Sequence, residues 1–209
     1  MPALSLVLKP DATQSQSVKQ FMKANISYGG CQVIVATIVQ AVSAATIFTS
    51  YSVIAVPLQQ AFEPSRMVLM LGISAISLVS GIVSPILGKV IDNYSIRALL
   101  LFGSVMLSTG LFLLSLAQSM PQVLVVYAVC LAVSAVLLGP LTASALLVRW
   151  FIRRRGLMIG IAGSGIAIGG LFIPPLLQWL IDDDGWRLAR QIFSVVVCLL
   201  IVPVVALLT

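Results

Sequence analysis

The chain has 209 residues, 60% of them hydrophobic and only 9% charged, with a mean hydropathy of +1.13 and a net charge of +6. Soluble domains carry about 25% charged residues, so lipid and not water solvates most of this surface. There is no histidine, which removes Ser-His triads, imidazole metal sites and histidine proton relays.

Residues 1–25 hold Lys9, Asp11, Lys19 and Lys23 among Ser and Gln, and are expected to form a polar tail. The apolar stretch Ala3 to Leu8 is too short for a signal-peptide core. Six apolar runs follow, at about 26–56, 67–91, 98–117, 123–148, 156–181 and 192–208. Each approaches or exceeds the roughly 17–25 residues that cross a bilayer as a helix. Short connections force neighbours to run antiparallel, so residues 26–209 predict an all-α membrane bundle of six transmembrane helices. The basic residues fall at the ends of these runs and not on a folded basic face, which points to a lipid bilayer as partner and away from nucleic acid. Cys31, Cys130 and Cys198 all lie inside apolar segments and read as small apolar residues, so neither a metal nor a cofactor is expected.

The first helix carries no charge from Gly29 to Gln60. Its polar residues Gln32, Gln40, Ser43, Thr46, Ser50 and Tyr51 fall within an arc of roughly 140° at helical spacing. The second is rich in small residues, Ser77, Gly81, Ser84 and Gly88, and ends at Asp92. On the fourth, Tyr127, Ser134, Thr142 and Arg149 make a narrow polar stripe. Polar side chains facing lipid are unfavourable, so both stripes should face protein or water. They line a substrate cavity, or they make interhelical hydrogen bonds with no substrate role; for Gln40, Tyr51 and Arg149 the two readings stand level.

Arg153, Arg154 and Arg155 pin the start of the fifth helix at a membrane surface, and Asp182 to Asp184 mark its exit on the other side. This helix carries Gly160, Ser164, Gly165 and Gly169; Gly165 and Gly169 form a small-xxx-small pair that lets backbones approach closely. These surfaces, with Gly81, either slide during a conformational cycle or pack statically. The last run ends in Leu207-Leu208-Thr209 without a basic anchor, which reads as a cut end.

One side of the membrane receives nine Lys and Arg residues, from Lys9, Lys19, Lys23, Lys89, Arg97, Arg149 and Arg153 to Arg155; the other receives Arg66, Arg187 and Arg190. That asymmetry places both termini in the cytoplasm, in a plasma or bacterial inner membrane. A shift of 90 positions overlays Pro85-Ile86-Leu87 on Pro175-Leu176-Leu177, Asp92 on Asp182 and Arg97 on Arg187. The copies lie three helices apart and therefore point in opposite directions, a 3+3 inverted repeat of the kind many secondary transporters use.

These residues resemble the major facilitator superfamily. Gly88, Asp92 and Arg97 match its signature between helices two and three, while Asn93, Ser95 and Ile96 depart from it. Trp150, Phe151, Arg153, Arg154, Arg155, Leu157, Gly160, Ala162 and Gly165 match the fifth-helix signature of its monocarboxylate-transporter-like and oxalate-formate-antiporter-like branch, and Gly185-Trp186-Arg187 matches the start of that branch's sixth helix. Tyr28-Gly29 and Pro57-Leu58-Gln59 resemble the two ends of its first helix. The lysine that proton-coupled members carry in helix one is missing here, so proton-coupled lactate-like transport is not implied.

The resemblance implies half of a twelve-helix fold and no enzymatic activity. It assigns the central cavity to helices one and four, and a gating role to Gly88, Asp92, Arg97, Arg153 and Arg154, with Asp92 pairing to Arg149 or Arg153. The expected function is the N-terminal half of a secondary active transporter for a small organic solute, a carboxylate by resemblance and by the charge of Arg149. Its partner would be a missing C-terminal six-helix half or a second copy. The alternative is a truncated or accessory six-helix membrane protein without independent transport.

Overall fold

A computed structural model describes residues 29–151 and 154–208, apart from the side chains at 49, 50, 60, 61, 66, 92, 184, 207 and 208. Among these residues every regular element is helical. Six helices are long and apolar enough to span a bilayer: α1 (Gly29–Gln59), α2 (Met67–Ile91), α3 (Ile96–Ser115), α4 (Met120–Trp150), α5 (Arg155–Asp183) and α6 (Gly185–Ala206). The polar tail of residues 1–25, the first residues of the first apolar run and Arg153 lie outside the described residues.

Local chemistry sets the helix boundaries. Ser65 and Ser95 are extended residues whose hydroxyls accept from the backbone N–H of Val68 at 3.4 Å and Ala98 at 3.3 Å. They thereby satisfy donors that the first helical turn leaves unpaired. Gly185 separates α5 from α6 with φ +81°, a backbone conformation that costs a residue with a Cβ.

Inside α4, Pro140 has no N–H to offer the carbonyl of Val136 and the helix breaks at Leu138 and Gly139. The Thr142 hydroxyl donates to that orphaned Val136 carbonyl at 3.3 Å. α1 and α4 also each contain a π-helical segment, Ala45–Thr49 and Tyr127–Leu131, where one extra residue enters the turn.

The core runs between α1, α3, α4 and α6, through Ile47, Leu107, Leu111, Leu131, Val197 and Ile201. Burial is unequal: 56% of the apolar stretch of α1 and α3 is buried, but only 17% of that of α2 and α5. The exposed faces of those two helices are apolar, with Met70, Leu78 and Ile82 on α2 and Leu171, Phe172 and Trp179 on α5. α5 meets α1 where a Cβ on Gly165 or Gly169 would strike the backbone carbonyls of Thr37 and Ala41. Gly81 and Gly160, by contrast, face open space.

α6 winds from Gly185, although the apolar run of the sequence starts only at Ile192. The intervening polar turn is helical because its arginines find partners on neighbouring helices.

Candidate functional site

Three of the four helices that build the core contribute to one buried polar cluster. The ring of Tyr51 on α1 lies across α2 at Gly72, where any Cβ would collide with the phenol. Its hydroxyl donates to the Leu69 carbonyl. The Tyr127 ring, at the first residue of the π segment of α4, meets Tyr51 edge-on at 5.0 Å and 87°. Arg190 on α6 donates from Nη2 to the Tyr127 hydroxyl at 3.1 Å.

Arg190 is 1% exposed, and its Nε and Nη1 meet no acceptor. A void of about 10 Å³ adjoins it, walled by Leu58, Leu114, Val123, Trp186 and the Tyr127–Arg190 pair, without a carboxylate. A guanidinium stays charged at any ordinary pH, and burying an unpaired charge costs several kcal/mol. The cluster therefore holds a buried positive charge with unfilled donors inside the bundle.

The sequence counts Arg190 as a loop charge, since it precedes the last apolar run. Its enclosure comes from the neighbours of α6, which the sequence does not place. Gly72 likewise carries no signal in the sequence, because its role depends on where the Tyr51 ring lies.

The other predicted positions divide by location. Gln40, Ser43, Thr46, Ser134 and Thr142 are buried within the six helices, so the polar stripes face protein and not an open side of the bundle. Ser43 and Ser134 donate to carbonyls of their own helices, Gln40 at 3.5 Å and Leu131 at 2.9 Å. Gln40 Oε1 and Thr46 Oγ1 have no hydrogen-bond partner. The side chains of Ser50 and Asp92 lie outside the described residues.

Arg149 sits at the far end of α4, 22 residues from Tyr127 or roughly 33 Å of helix. Its Nη2 donates to the Ile91 carbonyl at the end of α2, at 3.4 Å. Arg97 and Arg149 share a recess of about 430 Å³ with Ser95, Ile96, Leu146 and Trp150. Arg97 donates to the Ala206 carbonyl at the end of α6, while Arg187, at the opposite end of the bundle, donates to the Ala117 carbonyl just beyond α3 at 3.3 Å. Gly88 is partly buried at the end of α2, and Arg154 is exposed.

Comparison with known proteins gives the following. A family model described as Major Facilitator Superfamily matches residues 36–209. The fujikurins efflux protein of Gibberella fujikuroi is 34% identical over 127 residues, which cover 57% of this chain and 27% of that protein. Human monocarboxylate transporter 12 is 34% identical over 110 residues, covering 52% of this chain and 21% of the relative. An uncharacterized transporter of Bacillus subtilis, YcxA, is 22% identical over 171 residues, covering 82% of this chain and 42% of its own length. The chain thus spans less than half the length of each of these relatives.

Proposed function

The chain belongs to the major facilitator superfamily, and from that premise we propose that it is the N-terminal six-helix half of a secondary transporter that moves a small organic carboxylate by alternating access. It is a multi-pass membrane protein of a transporter family. The proposed setting is a plasma or bacterial inner membrane, with both termini in the cytoplasm. The observation that carries the reading is the unequal burial of the bundle. α2 and α5 keep their apolar faces unpaired, while the buried polar residues lie on α1, α3, α4 and α6. Such a unit is suited to dock through α2 and α5 against a second set of six helices, with α1 and α4 facing the shared cavity.

An apolar groove of about 590 Å³ lies between α2 and α4, lined by Leu71, Leu78, Leu124 and Val125. The carboxylate preference draws on the buried charge of Arg190 and on the likeness to a human monocarboxylate transporter. Gly88, Asp92, Arg97, Arg153 and Arg154 are proposed as parts of the cytoplasmic gate.

The test is reconstitution. Verified monomers in proteoliposomes should show no uptake of labelled monocarboxylates, and uptake should appear on supplying a C-terminal half or on dimerisation. Robust uptake by monomers would overturn the half-transporter reading. The second reading, a six-helix protein without transport of its own, is favoured by one fact: its polar stripes are already buried within the six helices. No uptake in any assembly would select it.

A further inference from the structure

We propose that Arg190 is the binding residue for a small monovalent anion held inside the six-helix bundle. Three observations carry this. The guanidinium is permanently charged and 1% exposed, and its single hydrogen bond goes to a neutral phenol that cannot balance the charge. Nε and Nη1, which donate from opposite edges of the guanidinium, are both left without acceptors. The void that Arg190 lines measures about 10 Å³, which is room for one atom-sized guest.

The walls of the void are Leu58, Leu114, Val123 and Trp186, so no protein carboxylate neutralises the charge there. A water molecule would accept from one donor but leave the net charge unbalanced in apolar surroundings, where its cost is greatest. A halide beside either donor accepts its hydrogen bond and supplies the missing negative charge in the same atom. A carboxylate offers the same chemistry through one oxygen, but it needs more room than the void of about 10 Å³ gives. The site is therefore specific for a single negative charge, with the size of the guest set by how closely the void is packed. The proposal stands on burial and donor geometry and does not depend on the transport reading.

The experiment uses the whole chain purified into phosphatidylcholine nanodiscs. Trp150→Phe and Trp179→Phe leave Trp186, which lines the void, as the sole indole. Bromide, a heavy-atom quencher, is titrated against gluconate at constant ionic strength. Binding at Arg190 gives a saturable quenching component, distinct from the linear collisional one. Arg190→Gln should abolish the saturable component. Arg190→Lys should keep it with about tenfold weaker half-saturation, since lysine retains the charge but loses the fork of donors.

Linear quenching in the parent protein, or equal saturable quenching in Arg190→Gln, overturns the proposal. If Arg190→Gln fails to fold, Arg190→Lys decides alone: an unchanged half-saturation overturns it and a weakened one supports it. Formate added at fixed bromide separates the two sources of the charge. Recovery of fluorescence means that carboxylates enter the site, and no recovery means that it is restricted to halides; both presuppose the saturable component.

Discussion

Arg97 and Arg187 make the same bond from opposite ends of one helix pair. Each lies in the first turn of its own helix, α3 or α6, and each donates to a carbonyl at the finish of the other, Ala206 or Ala117. The two arginines are 90 positions apart, the offset that overlays the second helix on the fifth. A helix end leaves carbonyls without partners and a partial negative charge, so a cation from an antiparallel neighbour satisfies both. An inverted repeat produces this reciprocity automatically, because the beginning of each copy meets the finish of its twin.

Arg97→Gln and Arg187→Gln should each lower stability by roughly 0.5–1 kcal/mol, the usual worth of a cation at a helix C-terminus. The pairs sit at opposite ends of the bundle, so the losses should add in the double variant. Thermal unfolding of detergent-purified protein, followed by size-exclusion chromatography, measures this. A double variant no worse than either single one would mean that the two bonds are not independent caps.

Glycines that look alike in the sequence should respond differently. Gly165→Ala or Gly169→Ala drives a methyl group into the α1 backbone and should cost about 1–3 kcal/mol, as overpacking does. Gly81→Ala and Gly160→Ala meet nothing and should stay within about 0.5 kcal/mol of the parent. Equal losses at all four positions in the same unfolding assay would refute the assigned packing of α5 on α1.

Thr142→Val should destabilise more than Ser134→Ala, although both residues are buried hydroxyls. Thr142 serves the Val136 carbonyl that Pro140 cannot reach, and an unsatisfied buried carbonyl costs about 1–3 kcal/mol. Ser134 donates to the Leu131 carbonyl of its own helix, and losing such a back-bond costs little. Pro140→Ala should rescue Thr142→Val by restoring the backbone donor; no rescue would show that the threonine acts elsewhere.

Arg149→Lys, placed in a complete twelve-helix background, should leave substrate affinity unchanged in concentration-dependent uptake. Its guanidinium donates to a backbone carbonyl at the end of α2, and lysine supplies the same charge and a donor. A weakened affinity would return Arg149 to the solute-binding site.

Cysteine at Ser95 should resist impermeant thiol reagents added from outside, whereas cysteine at Asp183 should label. Labelling at Ser95 would reverse the orientation drawn from the nine-to-three distribution of basic residues.

The number of helices and their apolar character were legible because each span is a long hydropathy signal. Small-residue spacing located the close approach at Gly165 and Gly169 but did not separate it from Gly81 and Gly160, which face open space. Arg190 was not legible. Hydropathy places a charge outside the membrane by default, and only the neighbours of α6 reveal that this one is enclosed. The polar stripes were found by spacing, but spacing does not tell a hydroxyl that lines a cavity from one bonded to its own helix, as Ser43 and Ser134 are. The π segments left no trace, since Ala45–Thr49 and Tyr127–Leu131 have ordinary helical composition.

The π segment of α1 lies between two clamps. Before it, Thr37 and Ala41 are gripped by the glycines of α5; after it, Tyr51 is held by α2 and by Tyr127. A rod gripped at both ends can change its twist only in the stretch between. Releasing the extra residue of that turn would rotate one grip against the other by roughly 100° about the helix axis. Deleting one residue within Ala45–Thr49 imposes the same rotation permanently and should turn the Tyr51 ring away from Gly72. α1 would then act as a torsion element, exchanging one residue of winding for a change in which side chains face the middle of the bundle.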